Sequence, residues 1–133
     1  MSRVILDTSA YSAFMRGHPE VKTALQEAEQ IHLNPVVLGE LLAGFRRGKR
    51  TRKNVGELRT FLSSPRVSLV DVNEETAERY SVILNSLWAA GTPIPTNDIW
   101  IAASAMQHGL RVLTTDDHYQ KVTQIIVDHV NVS

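Results

Sequence analysis

Half of the 14 acidic side chains lie where a helix starts or where a helix face meets water. Glu20, Glu27, Glu29, Glu57, Glu74, Glu75 and Glu78 are of this kind. Four others differ by context. Asp7 ends the apolar run Val4-Ile5-Leu6, and Asp116 follows Val112-Leu113-Thr114. Asp98 opens a helical stretch just after the stiff link Pro93-Ile94-Pro95, and Glu40 is the one carboxylate in an otherwise apolar helical segment. If the two apolar runs are neighbouring parallel strands, Asp7 and Asp116 share the carboxyl edge of a sheet, where open α/β folds keep their ligands. Two like charges ~4 Å apart repel by about 4 kcal/mol at an effective dielectric near 20. Four clustered carboxylates therefore call for protons or a cation. Oxygen ligation without cysteine or a histidine cluster suits a hard ion, Mg2+ or Mn2+. Such a centre serves phosphoryl chemistry. Taken singly, each acid also has a structural reading. Asp7, Asp98 and Asp116 are good helix caps, and Glu40 could face solvent.

The positions of these acids depend on the elements around them. The short unbroken apolar run after Arg3, Val4 to Leu6, fits a strand buried on both faces. Further strand candidates are Ile31–Leu33, Val67–Val70, Arg111–Thr114 and Ile125–Val127. Between them lie helical patterns: Thr8–Met15, Glu20–Glu29, Val36–Phe45, Val55–Leu62, Glu74–Ala90, Ile99–His108 and a short turn of helix at Tyr119–Val122. The long helix has an apolar stripe of Ala77, Tyr80, Leu84, Leu87 and Trp88. Trp88 and Trp100 are expected in the core. Strands alternating with helices predict one parallel sheet wrapped on both faces, with right-handed crossovers.

Six basic residues fall within Arg46–Lys53, and Arg59 follows. Such a run is commonly a solvated face. Beside an acidic centre it gains a second reading, as positive surface for a phosphate backbone, with Arg46, Arg47, Lys49 and Arg50 its first members. Overall charge is zero, so the bulk composition carries no bias toward nucleic acid. A length of 133 residues with 43% apolar content fits one domain with a real core. The absence of cysteine excludes a disulfide scaffold and thiolate metal sites. No signal-peptide pattern and no apolar run of membrane-spanning length is present.

Four blocks then resemble one family: Val-Ile-Leu-Asp7-Thr-Ser; Glu40 in Val-Val-Leu-Gly-Glu-Leu-Leu-Ala-Gly; Gly-Thr-Pro-Ile-Pro-Thr-Asn-Asp98-Ile-Trp-Ile-Ala-Ala; and Leu-Thr-Thr-Asp116-Asp-His-Tyr. In order and separation they are similar to the PIN-domain ribonucleases, above all the VapC toxins of type II toxin–antitoxin modules. The resemblance implies a single PIN domain over residues 1–133, an α/β/α sandwich around a parallel sheet of four to five strands. It implies that Asp7, Glu40, Asp98 and Asp116 form an acidic quartet holding Mg2+ or Mn2+, with Asp7 and Asp98 as the principal direct ligands. Glu40 and Asp116 would bind directly or through water and position the attacking water. Thr8, Ser9 and Thr114 match the small hydroxyl residues lining that site. The implied activity is metal-dependent hydrolysis of RNA, leaving 5′-phosphate and 3′-hydroxyl ends. The implied setting is a cytoplasmic homodimer restrained by a cognate antitoxin. Two alternatives share the fold: a housekeeping nuclease of RNA maturation, and an inactive binding module. An aspartyl-phosphate enzyme would want an acid two residues after Asp7, where this chain has Ser9. His118 lies near enough to the quartet to be weighed as a general acid, although a loop histidine is usually a bystander. His18, His32, His108 and His129 show no ligand spacing.

Overall fold

A computed structural model describes residues 2–132. β1 (Arg3–Leu6) leads into α1 (Thr8–Met15) and α2 (Pro19–Glu27). Next come β2 (Gln30–Leu33), α3 (Pro35–Arg47), α4 (Thr51–Leu62) and β3 (Val67–Leu69). The chain continues through α5 (Glu74–Ala90), α6 (Thr96–His108), β4 (Arg111–Thr114), a 3-10 turn (Asp117–Lys121) and β5 (Val127–His129). Every strand pairing is parallel, and the order across the sheet is β3-β2-β1-β4-β5.

That order follows from burial. Parallel neighbours need long crossovers, so each strand must be covered by the helices that connect them. β1 takes the centre because its Val4, Ile5 and Leu6 are all no more than 3% exposed. The core extends from there through Ile31, Leu33, Val112 and Leu113 of the adjoining strands to Val37, Leu41, Ile83, Leu87, Ile99 and Ile101 of the helices. The result is a three-layer α/β/α sandwich, as expected.

One topological feature positions the site. The chain steps outward from β1 to β2 to β3, then crosses back to lay β4 and β5 on the other side of β1. Between β1 and β4 the strand order reverses, and the diverging connections leave a crevice outside the carboxyl ends. Register then decides which residues meet there. Leu6 stands opposite Leu113, so Asp7 and Thr114 come side by side at the edge.

Several elements differ from the sequence expectation. The last strand is Val127–His129 and not Ile125–Val127. Its apolar start is not what pairs it. Val127, Asp128 and His129 align with Val112, Leu113 and Thr114, and Asp128 accepts from Arg111 Nε and Nη2 at 2.8 and 2.7 Å. Ile126 is 57% exposed. Along α5 the buried positions are Thr76, Ile83 and Leu87, while Ala77 is exposed. Thr76 can be inside because its hydroxyl is satisfied: it lies 2.5 Å from Gln107 Oε1 and joins a capping box with Asn73. Trp88 is therefore rotated outward and 66% exposed, against the expectation of a core position. Trp100 is half-buried and stacks on Tyr80 with ring centres 4.2 Å apart. Finally, α4 begins at Thr51, so the basic run spans two helices and their link instead of one loop.

Candidate active site

The first acid is placed by the strand it ends. Asp7 is 3% exposed and caps α1 from the carboxyl edge of the sheet. Its Oδ1 accepts from the backbone N–H of Ala10 at 2.9 Å, capping α1. Ser9 Oγ donates to the same carboxylate at 2.8 Å, and Thr114 Oγ1 donates to Oδ2 at 2.7 Å. Each hydroxyl is itself aimed by a backbone donor. Thr115 N–H donates to Ser9 Oγ at 3.1 Å, and Asp116 N–H donates to Thr114 Oγ1 at 2.9 Å. The loop after β4 thus orients the carboxylate after β1 through two hydroxyls. Burial pushes the Asp7 carboxyl up from 3.8 to about 6; the bonds from Thr114, Ala10 and Ser9 restrain the rise, and the charge of Asp98 adds to it.

Asp98 arrives from the first turn of α6, three residues after Pro95 has started the helix. Its carboxyl is also raised, chiefly by burial, with the His118 hydrogen bond opposing and the Asp116 charge reinforcing the shift. Asp116 caps the 3-10 turn, its Oδ1 accepting from His118 N–H at 2.9 Å. Glu40 comes from the second turn of α3. Thr8 Oγ1 donates to its Oε1 at 2.5 Å and Asn97 Nδ2 to its Oε2 at 3.2 Å, which tie α3 to the starts of α1 and α6.

Two further residues join the site without having been assigned a role from sequence. Asn97 holds Glu40, as just described. Tyr119 is fully buried, and its phenol donates to Asp98 Oδ1 at 3.2 Å. Burial, then the charges of Asp7, Asp98 and Glu40, hold that phenol far above its ordinary range, so it stays a proton donor. The one signal for each was its place within a recognised block, next to an acid. His118, weighed only as a bystander or general acid, has Nδ1 2.9 Å from Asp98 Oδ2 and 3.0 Å from Asp116 Oδ1.

The four acids therefore reach one crevice from four different elements. They are not equally close. The tightest group, with ligand atoms all within 4.8 Å of one another, is Asp98, Asp116 and His118. Asp7 and Glu40 stand outside that trio, their oxygens engaged by the hydroxyl and amide donors named above. Among the described residues no lysine or arginine forms an ion pair with any of the four acids. Partly buried carboxylates without a fixed cation, presenting oxygen donors, fit a hard divalent ion.

The basic residues lie beyond the acids along α3. Arg46 and Arg47 occupy its last turn, where positive charge complements the helix dipole, and Lys49 and Arg50 are in the link to α4. All four are exposed and none pairs with an acid among the described residues. Arg47 is seven residues after Glu40, hence on the same helix face and ~10 Å further along the axis. A separate apolar groove of about 750 Å³ is lined by residues including Phe14, Met15, Lys22, Lys53 and Phe61 and contains none of the four acids.

The PIN-domain family model matches residues 4–125. The chain belongs to the PIN-domain family. Within that family it is VapC-like. It is 34% identical over 113 residues to Ribonuclease VapC of Rickettsia bellii, covering 84% of this chain and 83% of that one. It superposes on VapBC2 from Rickettsia felis, solved bound to a DNA fragment from their promoter, with a TM-score of 0.83 at 23% identity, covering 95% and 97% of the two chains. It is also similar to VapBC-5 of Mycobacterium tuberculosis, a member of the VapBC family of toxin-antitoxin systems. There the TM-score is 0.73 at 25% identity, covering 99% and 100%. Among the described residues no helix is long and apolar enough to cross a membrane.

Proposed function

We propose that this chain is the ribonuclease toxin of a toxin–antitoxin pair, hydrolysing RNA phosphodiester bonds at a Mg2+ or Mn2+ centre built by Asp7, Glu40, Asp98 and Asp116. One observation carries the reading: carboxylates from four elements border the switch point, Asp98 and Asp116 closest, with no lysine or arginine paired to any of them among the described residues. The VapC relatives support the choice of RNA, and the VapBC complexes support a protein antitoxin as partner. A homodimer and inhibition of translation belong to the same proposal.

The bound ion would polarise the phosphate and acidify a coordinated water. The chain supplies orientation. Ser9, Thr114 and the Ala10 N–H hold the Asp7 carboxylate in one rotamer. The Tyr119 phenol donates to Asp98 Oδ1, and it keeps its proton while doing so. Thr8 and Asn97 grip the two oxygens of Glu40, leaving its remaining lone pairs to orient the attacking water. Asp116 is locked by its own 3-10 turn. Water adds to phosphorus, the P–O3′ bond breaks, and the leaving O3′ takes a proton, giving 5′-phosphate and 3′-hydroxyl ends. Arg46, Arg47, Lys49 and Arg50 would hold flanking phosphates.

The test is cleavage of total cellular RNA by the purified chain in Mg2+, in Mn2+ and in EDTA, with 5′ ends mapped after brief induction in cells. The expected result is discrete cleavage that EDTA stops and that Asp98→Asn lacks. Cleavage persisting in EDTA would overturn the metal-centre reading.

A further inference from the structure

We infer that His118 is a nitrogen ligand of the metal centre, and that it tilts the site toward Mn2+ over Mg2+. The inference rests on the proposed metal site and deepens it. It starts from placement. Tyr119 is buried at the heart of the site and Asp116 caps the turn, so the short 3-10 segment between them has little freedom. His118 is carried by that segment. Its backbone N–H is held by Asp116 Oδ1, and its ring reaches back over the two carboxylates.

The contacts of Nδ1 are unusual for a simple hydrogen bond. One ring nitrogen faces two carboxylate oxygens, Asp98 Oδ2 at 2.9 Å and Asp116 Oδ1 at 3.0 Å. A protonated Nδ1 has one hydrogen for two acceptors. Adjacent donors around an octahedral ion at about 2.1 Å stand ~3.0 Å apart. The two distances from Nδ1 therefore match the spacing of neighbouring ligands, and the ligand atoms of the trio all lie within 4.8 Å of one another. The ring is 40% exposed at its side chain, so Nε2 can keep its proton in water while Nδ1 offers its lone pair. Coordination satisfies all three atoms at once.

The donor set decides selectivity. Mg2+ prefers oxygen and dehydrates reluctantly, and gains little from an imidazole. Mn2+ also accepts carboxylates but tolerates nitrogen, in keeping with the softer character of the transition metals. A site of Asp98, Asp116 and His118, completed by Asp7 or by water, thus binds Mn2+ with an advantage that an all-carboxylate site lacks.

The experiment uses the full chain stripped with EDTA and loaded with Mn2+ alone. Electron spin-echo envelope modulation reads directly coordinated 14N. The expected result is an imidazole nitrogen coupling in the wild-type protein, lost in His118→Gln and retained in His129→Gln. Calorimetric titration should show Mn2+ affinity falling by about tenfold or more in His118→Gln, while Mg2+ affinity changes less than about twofold. Mn2+ bound without a nitrogen coupling overturns the assignment of His118 and leaves the carboxylate centre standing. A coupling that survives His118→Gln, or an unchanged Mn2+/Mg2+ affinity ratio, does the same. Failure of the wild-type chain to bind Mn2+ overturns the metal centre as well. The wild-type spectrum alone decides the first question, so a poorly folded variant does not protect the inference.

Discussion

Asp7→Asn should make the metal-free protein more stable at neutral pH and not at pH 4. The folded-state carboxyl of Asp7 is raised from 3.8 to about 6, mainly by burial. The folded chain therefore holds this proton more tightly than the unfolded chain. The stabilisation from neutral Asp7 is complete below pH ~3.8 and is lost as pH rises through about 6; above that, the charged form carries a constant penalty. A rise of about two pKa units is worth about 3 kcal/mol at 1.36 kcal/mol per unit. Asparagine stays neutral at every pH. Its oxygen can accept from Ala10 N–H, but its amide must donate toward Ser9 and Thr114, hydroxyls that already accept from Thr115 and Asp116 N–H. That rearrangement costs about 1 kcal/mol. The variant should then be less stable than wild type by about 1 kcal/mol at pH 4 and more stable by about 2 kcal/mol at pH 7.5. For a chain of this length the swing corresponds to a Tm difference growing by about 10 °C. Thermal melts in EDTA from pH 4 to 8, read by circular dichroism, give the difference directly. A difference independent of pH would refute the buried, strained carboxylate. Mn2+ should raise the Tm of the wild type by linkage and raise that of Asp7→Asn by less.

Asp98→Asn should abolish RNA cleavage while the far-ultraviolet spectrum stays native; retained activity in both this variant and Asp7→Asn would remove the proposed centre. Thr114→Val leaves Asp116 N–H unpaired and leaves Asp7 Oδ2 with Ser9 Oγ as its one remaining donor among the described residues. It should cost about 1–3 kcal/mol in urea unfolding and lower cleavage by about tenfold or more, with full activity counting against the hydroxyl relay. Replacing Arg46, Arg47, Lys49 and Arg50 together with alanine should weaken RNA binding and reduce the log–log salt slope by up to ~3 for single strands; an unchanged slope would return the run to an ordinary solvated face.

The legible part of this protein is what short stretches encode. Val4-Ile5-Leu6 fits a doubly buried strand, and the alternation of such runs with helical periods argues for a parallel sheet covered on both sides. A strand that ends in aspartate then delivers a carboxylate to the carboxyl edge, whatever else happens. Asn34-Pro35 marks the start of α3 to within a residue, because the Asn34 side chain accepts from Val37 N–H three residues on, whereas α6 starts at Thr96, three residues before the expected Ile99, behind Pro95 and without a side-chain cap. Four acids and their common edge follow from those local rules.

Tertiary structure alone decided which atoms meet. Thr114 reaches Asp7 across 107 positions, Thr115 reaches Ser9 across 106, and Asn97 reaches Glu40 across 57. Those bonds depend on β1–β4 register and on how α3 and α6 converge, and one residue of slip would send each side chain to the wrong face. Trp88 is exposed because packing rotated α5 to bury a satisfied Thr76, which periodicity cannot foresee. The last strand is set by its register on β4 and by the Arg111–Asp128 pair, not by its own apolar run. His118 looked like a loop histidine beside an acid. Its ring bridges Asp98 and Asp116 because a 3-10 turn, anchored by buried Tyr119, carries it over a crevice that only the completed sheet creates. Local chemistry selected the acids; long-range register selected the donors that hold them and the nitrogen that joins them.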